Sequence, residues 1–181
     1  MAASLIYYVA ASLDGYIARP DGSVDWLKQI EACGDDHDYS GFYDSIDGLL
    51  MGRGTYQAVQ TFDGGWPYPG KTCTVLTRAD LPPAAPEVNI SHSTPAEAIA
   101  ELAAAGCKRI WLVGGGSLAA SFLTAGLLDE LVVSVIPRLL GAGIPLFSIG
   151  LERSLKLQEQ RSFSTGVVQL HYHVQPEGEH P

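Results

Sequence analysis

The chain has 181 residues, 46% of them apolar and 17% charged, and a formal net charge of −9 at pH 7. That length suits one substantial core, so 1–181 reads as a single domain, and the composition excludes a disordered chain. The acidity argues against nucleic acid or an anionic membrane as partners, and no stretch approaches the ~20 apolar residues of a membrane-spanning helix. Met1-Ala2-Ala3-Ser4 lacks the basic start of a signal peptide. Cys33, Cys73 and Cys107 are odd in number and widely spaced, with no C-x-x-C. Neither a disulfide framework nor a zinc ribbon is expected of them; buried thiols in a cytoplasmic protein are.

In chain order, Ser4 to Ser12 is a nearly continuous apolar run, the pattern of a strand buried on both faces. Asp14-Gly15 and Pro20-Asp21-Gly22 are turn signals. A short helical piece is expected over Trp26 to Ile30 and a helix over Asp38 to Ser45. Gly48 to Met51 reads as a second buried strand feeding a helix from Gly52 to Gln60. After a Gly- and Pro-rich loop at Phe62 to Gly70, strands are expected at Thr72 to Leu76 and Val88 to Ser91. Thr94-Pro95-Ala96-Glu97 is a capping box with proline at the first helical position, and its helix stops at Gly106. Ile110 to Val113 is another short strand, turned by Gly114-Gly115-Gly116-Ser117 into a helix striped with Leu118, Phe122 and Leu123. Beyond Gly126, Leu131 to Ile136, Ser154 to Phe163 and Val167 to Val174 are strands with no helices between them. Alternation followed by a run of strands describes a mostly parallel mixed sheet with antiparallel C-terminal edge strands, and a polar tail, 175–181, that frays.

Two places share one design, a buried strand, then glycines, then a helix start: Leu50-Met51-Gly52-Arg53-Gly54-Thr55-Tyr56 and Leu112-Val113-Gly114-Gly115-Gly116-Ser117-Leu118. Glycine lets the backbone approach a ligand, and a helix N-terminus offers unpaired N–H groups and a favourable dipole for an anion. Two such turns, one carrying an arginine, suit a diphosphate gripped from both sides. Gly114-x-Gly116-x-x-Ala119 matches the Rossmann fingerprint only formally. It comes late in the chain, and Asp129 falls too early to be that motif's ribose acid.

These turns, with Ala10-Ala11-Ser12-Leu13-Asp14-Gly15-Tyr16-Ile17-Ala18 before them and Leu76-Thr77-Arg78 between them, occur in the order of the dihydrofolate reductase superfamily, which the chain resembles from about Ser4 to Val174. Leu128-Asp129-Glu130-Leu131 and Leu139-Leu140-Gly141-Ala142-Gly143-Ile144-Pro145-Leu146-Phe147 make it most similar to the reductase domain of the bifunctional riboflavin-biosynthesis deaminase/reductase and its stand-alone relatives. The resemblance implies a dihydrofolate reductase-like three-layer α/β/α fold and NADPH as cofactor. Gly52, Arg53, Gly54 and Thr55 would hold the pyrophosphate together with Gly114, Gly115, Gly116, Ser117 and Leu118. Arg53, Thr77 and Arg78 would meet the adenosine 2′-phosphate, and Leu76 and Val113 are further cofactor-binding candidates. Ala10 and Ile17 would flank the nicotinamide. It further implies hydride transfer to a small pyrimidine- or pteridine-like molecule of the 5-amino-6-(5-phosphoribosylamino)uracil type.

The resemblance also places a carboxylate four residues before a phenylalanine, the spacing of Asp38 and Phe42. Reduction of a C=N or masked aldehyde needs a proton, which Asp38 would supply directly or through a water. The competing reading of Asp38 is a helix cap. Asp14 is the rival acid or substrate contact, and otherwise a turn former. Trp26 and Phe42 are candidates to wall a flat heterocycle. His171 and His173 share one face of a strand and read as a solvated edge, not a metal site, and Asp35-Asp36-His37-Asp38 as a solvated loop. The chain has no H-x-E…P-C-x-x-C pattern, so deaminase chemistry is not expected of it. Ser23-Val24-Asp25-Trp26 stands where true dihydrofolate reductases carry a Pro-Trp loop. Dihydrofolate reduction and a non-catalytic NADPH-binding sensor or scaffold are the alternatives. The apolar segment Leu139 to Phe147, which one copy would have trouble covering, and the dimers formed by relatives of this branch lead us to expect a homodimer.

Overall fold

The computed structural model of the chain describes residues 3–148 and 152–176. Strand β1 (Ser4–Ser12) and a short β2 (Tyr16–Ala18) come first. A 3-10 turn at Asp25–Leu27 then runs into α1 (Lys28–Glu31), followed by α2 (Tyr39–Ser45), β3 (Gly48–Gly52), α3 (Arg53–Val59), β4 (Thr72–Leu76) and β5 (Val88–Ser91). Helix α4 (Pro95–Ala104), β6 (Arg109–Gly114), α5 (Gly116–Thr124) and β7 (Glu130–Ile136) complete the alternating part. β8 (Ile144–Pro145), β9 (Leu155–Ser162) and β10 (Val168–Val174) follow without helices. Of the tail expected to fray, residues 177–181 lie outside the described residues. Gln175 is tied down, its amide donating to the Ser154 carbonyl at 3.0 Å.

Eight strands form one sheet in the order β5-β4-β3-β6-β1-β7-β10-β9. Every pair from β5 to β7 is parallel, and β10 runs antiparallel to both of its neighbours. The sheet is mixed as expected, with its reversal at the C-terminal edge. Alternating side chains divide the core into two layers. Leu5, Tyr7, Leu50, Ile110, Leu112, Leu131 and Val133 face one side and pack with Ala98 and Leu102 of α4 and Ala119 and Phe122 of α5. Leu49, Met51, Val75 and Trp111 face the other, with Tyr56 and Val59 of α3 and, less buried, Phe42 and Tyr43 of α2. Helices therefore cover both faces, giving the α/β/α architecture of the dihydrofolate reductase-like fold. Emptying one of these positions, as in Phe122→Ala, is expected to destabilise by about 3–5 kcal/mol.

The connections place the functional edge. From β3 the chain leaves through α3 toward β4, and from β6 it leaves through α5 across β1 toward β7, in opposite directions. Parallel crossovers are right-handed, so opposite directions put the two helices on opposite faces. A crevice opens where adjacent strands diverge in this way, outside their carboxyl ends. Both glycine turns stand at that point, because β3 and β6 are neighbours and Met51 pairs with Gly114.

One element was not legible in the sequence. β2 and β8 form a separate two-stranded sheet, Tyr16 opposite Pro145 and Ala18 opposite Ile144. It covers much of the apolar segment that was expected to seek a second copy. Leu146 and Phe147 pack against the core, and the large exposed side chain left there is Leu139, 69% accessible.

Candidate active site

The first glycine turn is open and carries charge. Arg53 and Gly54 are exposed, and a Cβ added to Gly54 would meet nothing within 4 Å. Among the described residues Arg53 and Arg78 have no ion-pair or hydrogen-bond partner for their side chains. The second turn is close-packed. Gly114 has φ +144°, in the region that favours glycine, and the Gly114–Gly115 peptide is cis. Cβ atoms on Gly114 and Gly115 would lie 3.3 and 3.5 Å from Thr55 Oγ1, so the two turns meet at the Thr55 hydroxyl and form one cradle. Leu118 closes its floor, lying 3.6 Å from where a Gly52 Cβ would be. The first amides of α5 lack partners within the helix and point out of its N-terminus.

Gly116 has a packing role of its own. Its Cβ would fall 2.2 Å from the Pro145 carbonyl oxygen. Glycine there lets the 144–148 segment pass over the start of α5, a packing reason that needs no phosphate. Ser117 donates to Ser148 Oγ at 3.1 Å on the same segment. Across the sheet, Thr77 sits beyond the end of β4. Its hydroxyl accepts from the Ala79 amide at 3.0 Å, and its carbonyl accepts from His92 Nδ1 at 2.8 Å. Val113 and Leu76 are half-buried supports behind the cradle.

Both candidate acids are committed elsewhere. The Asp14 carboxylate accepts from Ser12 Oγ at 2.6 Å, from the Gly141 amide at 2.7 Å and from the Leu140 amide at 3.1 Å. The Ser12 hydroxyl first, then the two amides, pull its pKa down to about 2. A carboxyl so held does not donate protons near neutral pH. Asp14 is instead a clip between the turn after β1 and the loop after β7, reinforced where Leu146 N donates to Gly15 O at 2.9 Å. Asp38 does not cap its helix: it has a left-handed backbone (φ 64°) and makes no side-chain cap bond. Asp36 takes that role, its Oδ2 accepting from the Ser40 amide at 3.2 Å. Asp38 reaches across the sheet to Arg161 Nη1, 2.6 Å away, and Arg161 Nε also pairs with Glu159 Oε1 at 2.7 Å.

Trp26 does not wall an open pocket either. It is 2% accessible, in a small core with Ile136, Val167 and the half-buried Ala10, Leu140 and Phe163. Ile17 packs on the main core. Phe42 stacks on Tyr8 with ring centroids 4.0 Å apart. Both rings line a cavity of about 200 Å³ between α2 and the sheet, with Asp38, Val132, Glu159, Arg161 and Gln169. Gln169 and Tyr8 escaped sequence reasoning because nothing local marks them. His171 is not on an edge, since β9 covers β10. It is half-buried and bonded through Nε2 to Glu130 Oε2 at 2.8 Å. No group of three His, Cys, Asp or Glu suited to a metal occurs among the described residues. Cys73 and Cys107 are buried and Cys33 is exposed. No helix among the described residues is long and apolar enough to cross a membrane.

The chain is similar to known proteins. The family model for the RibD C-terminal domain matches residues 68–169. The uncharacterised protein YwjB of Bacillus subtilis (strain 168) is 38% identical over 168 residues, covering 92% of this chain and 95% of YwjB. The riboflavin biosynthesis protein RibD of Corynebacterium ammoniagenes is 32% identical over 162 residues, which are 81% of this chain and 47% of that protein. A crystal structure of a Shewanella sp. PV-4 protein, provisionally assigned to riboflavin biosynthesis, superposes with a TM-score of 0.85 at 32% identity, covering 96% of this chain and 99% of that one.

Proposed function

The chain belongs to the RibD C-terminal domain family, and from that premise we propose that it is an NADPH-dependent reductase acting on a pyrimidine- or pteridine-like substrate of the 5-amino-6-(5-phosphoribosylamino)uracil type. The observation that carries the reading is the cradle at the β3/β6 divide. Two glycine turns meet at Thr55, with open space over Gly54 and an unpartnered Arg53 beside it. In a chain of net charge −9, an unpaired arginine at a helix start is a local exception that suits an anion. NADPH supplies a hydride when bound. The chain's own part is to hold the diphosphate against Gly52–Thr55 and the α5 amides, and the 2′-phosphate against Arg53 and Arg78. Ala10, at the end of β1 and one strand on from β6, would meet the reacting ring.

Because Asp14 is clipped to Gly141 and Asp38 is paired with Arg161, the balancing proton comes from solvent in this reading, with Asp38 acting on position. The setting is cytoplasmic. The protein works as a homodimer, with support now drawn from β9 and β10, where Leu155, Leu157 and Val168 remain exposed, and not from Leu139 to Phe147. Light scattering that finds only monomer at micromolar concentration removes that part. The cofactor assignment is tested by thermal unfolding with NADPH and NADH at equal concentration. A ligand at 100 times its Kd stabilises by ~2.7 kcal/mol. No shift with either removes the assignment, and equal shifts remove the role given to the 2′-phosphate.

A further inference from the structure

The register of the sheet sets four side chains in one row on one face. Ala10 of β1 pairs with Ser134 of β7, Ser134 with Gln169 of β10, and Gln169 with Arg161 of β9. Neighbouring strands are about 4.8 Å apart, so Gln169 lies roughly 10 Å from Ala10. This row stands on the carboxyl-end side of the cavity, whose other end is lined by Arg109 and Glu130, the first residues of β6 and β7.

Gln169 is 8% accessible, and its amide nitrogen is held from three sides. Nε2 lies 3.2 Å from Ser134 Oγ, 3.3 Å from the His37 carbonyl oxygen and 3.4 Å from Tyr8 Oη, and shares its two protons among these three acceptors. The His37 carbonyl can only accept, so it fixes which end of the amide points inward. The other end, Oε1, takes no hydrogen bond from any described residue, although Gln169 lines the cavity. Oε1 is thus an acceptor open to the cavity on an anchored amide, placed to take a donor from whatever occupies that cavity. Tyr8, lining the same cavity, is half-buried, and burial raises its phenol pKa. It therefore stays a donor at neutral pH. A volume of about 200 Å³ is below the ~300–1,000 Å³ of sites for drug-sized ligands, so it takes one ring and not a whole nucleotide.

We infer that Gln169 is a specificity-determining residue of the substrate pocket, its Oε1 accepting from a ring N–H while the Tyr8 hydroxyl donates to the adjacent ring C=O, so that the pair reads a cyclic amide or imide. The inference rests on the reductase reading for the identity of the ligand as a substrate. Ser134 and the His37 carbonyl are positioning groups that hold the amide in register. Arg161, locked to Asp38 and Glu159, closes the far side.

The test uses the full chain saturated with NADPH and three probes: 5,6-diaminouracil and its N1-methyl and N3-methyl analogues, titrated by calorimetry. One methyl analogue is expected to bind at least about 10-fold more weakly than the parent, since its N–H is gone and Oε1 stays unpaired. Gln169→Leu should bind parent and analogue alike while keeping wild-type NADPH affinity, which reports an intact fold. Gln169→Met, closer in shape, serves if the leucine variant does not fold. Equal binding of all three probes to wild type, or discrimination that survives in the variant, overturns the role of Gln169 and leaves the reductase reading standing. A wild-type protein that binds NADPH and none of the probes overturns the pyrimidine-reductase reading and this inference together.

Discussion

The two glycine turns are built from nearly the same letters, and glycine is there for different reasons. At Gly52–Thr55 the backbone lies open, with nothing within 4 Å of a Gly54 Cβ, and a charged side chain stands beside it. At Gly114–Gly116 the chain is crowded by its own neighbours. Thr55 packs under the first two glycines, and the Pro145 carbonyl lies 2.2 Å from where a Gly116 Cβ would be. At the first turn no neighbour within the protein requires a glycine at 54, whereas the third glycine of the second turn is required because the fold leaves no room for a side chain. A strand–glycine–helix pattern therefore marks close approach without saying whether the approaching group is a ligand or the protein itself.

That contrast can be broken most forcefully at Gly116. Alanine there drives a methyl group into a backbone carbonyl that cannot rotate away, so Gly116→Ala is expected to destabilise by about 3 kcal/mol or more, read as a lower urea midpoint at unchanged slope. Wild-type stability in that variant would mean the 144–148 segment moves freely. Arg53→Ala is the counterpart at the open turn. Stability should hold while NADPH affinity falls about 10- to 150-fold, the loss of a charge-assisted contact of roughly 1.5–3 kcal/mol. Titration by Trp fluorescence measures it, and unchanged affinity removes Arg53 from the cofactor site.

Gly54→Ala sharpens the comparison with a smaller effect of two opposite signs. The methyl group meets nothing in the ligand-free protein, so unfolding should be harder by up to ~0.5–1 kcal/mol, as for Gly→Ala within a helix. NADPH should nonetheless bind more weakly, because the added carbon occupies space reserved for the diphosphate. If both melting temperature and affinity rise, the open space is not the cofactor's. The smallest effect concerns the clip that steadies the crowded side. The Asp14 pKa is lowered to about 2 from 3.8. Its contribution to stability is thus fully present above about pH 4 and fades as pH falls toward 2. Urea midpoints from pH 5 to 2 should show that decline in the wild type, and a shallower one in Asp14→Asn. Parallel curves would mean that the clip carries no stability.

What the sequence by itself determined was local: period, punctuation and caps. Continuous apolar runs placed the central strands, Thr94 and Glu97 placed the start of α4, and the loss of helices after Gly126 located the antiparallel edge, since each signal acts within a few residues of itself. The tertiary structure decided whatever depends on partners distant in sequence. Asp38 meets Arg161, 123 positions away, and Asp14 meets Gly141, 127 positions away. Asp14 was thereby taken from acid chemistry and Asp38 drawn into an ion pair, each by a partner no spacing rule connects to it. Trp26 became core because β7 and Val167, just before β10, fold over it, and Asp36 took the cap when the left-handed backbone at Asp38 turned that side chain toward β9. Gln169 was invisible in one dimension for the same reason. It acquires meaning only when register sets it beside Ser134 and in line with Ala10, and register is fixed by the pairing of whole strands.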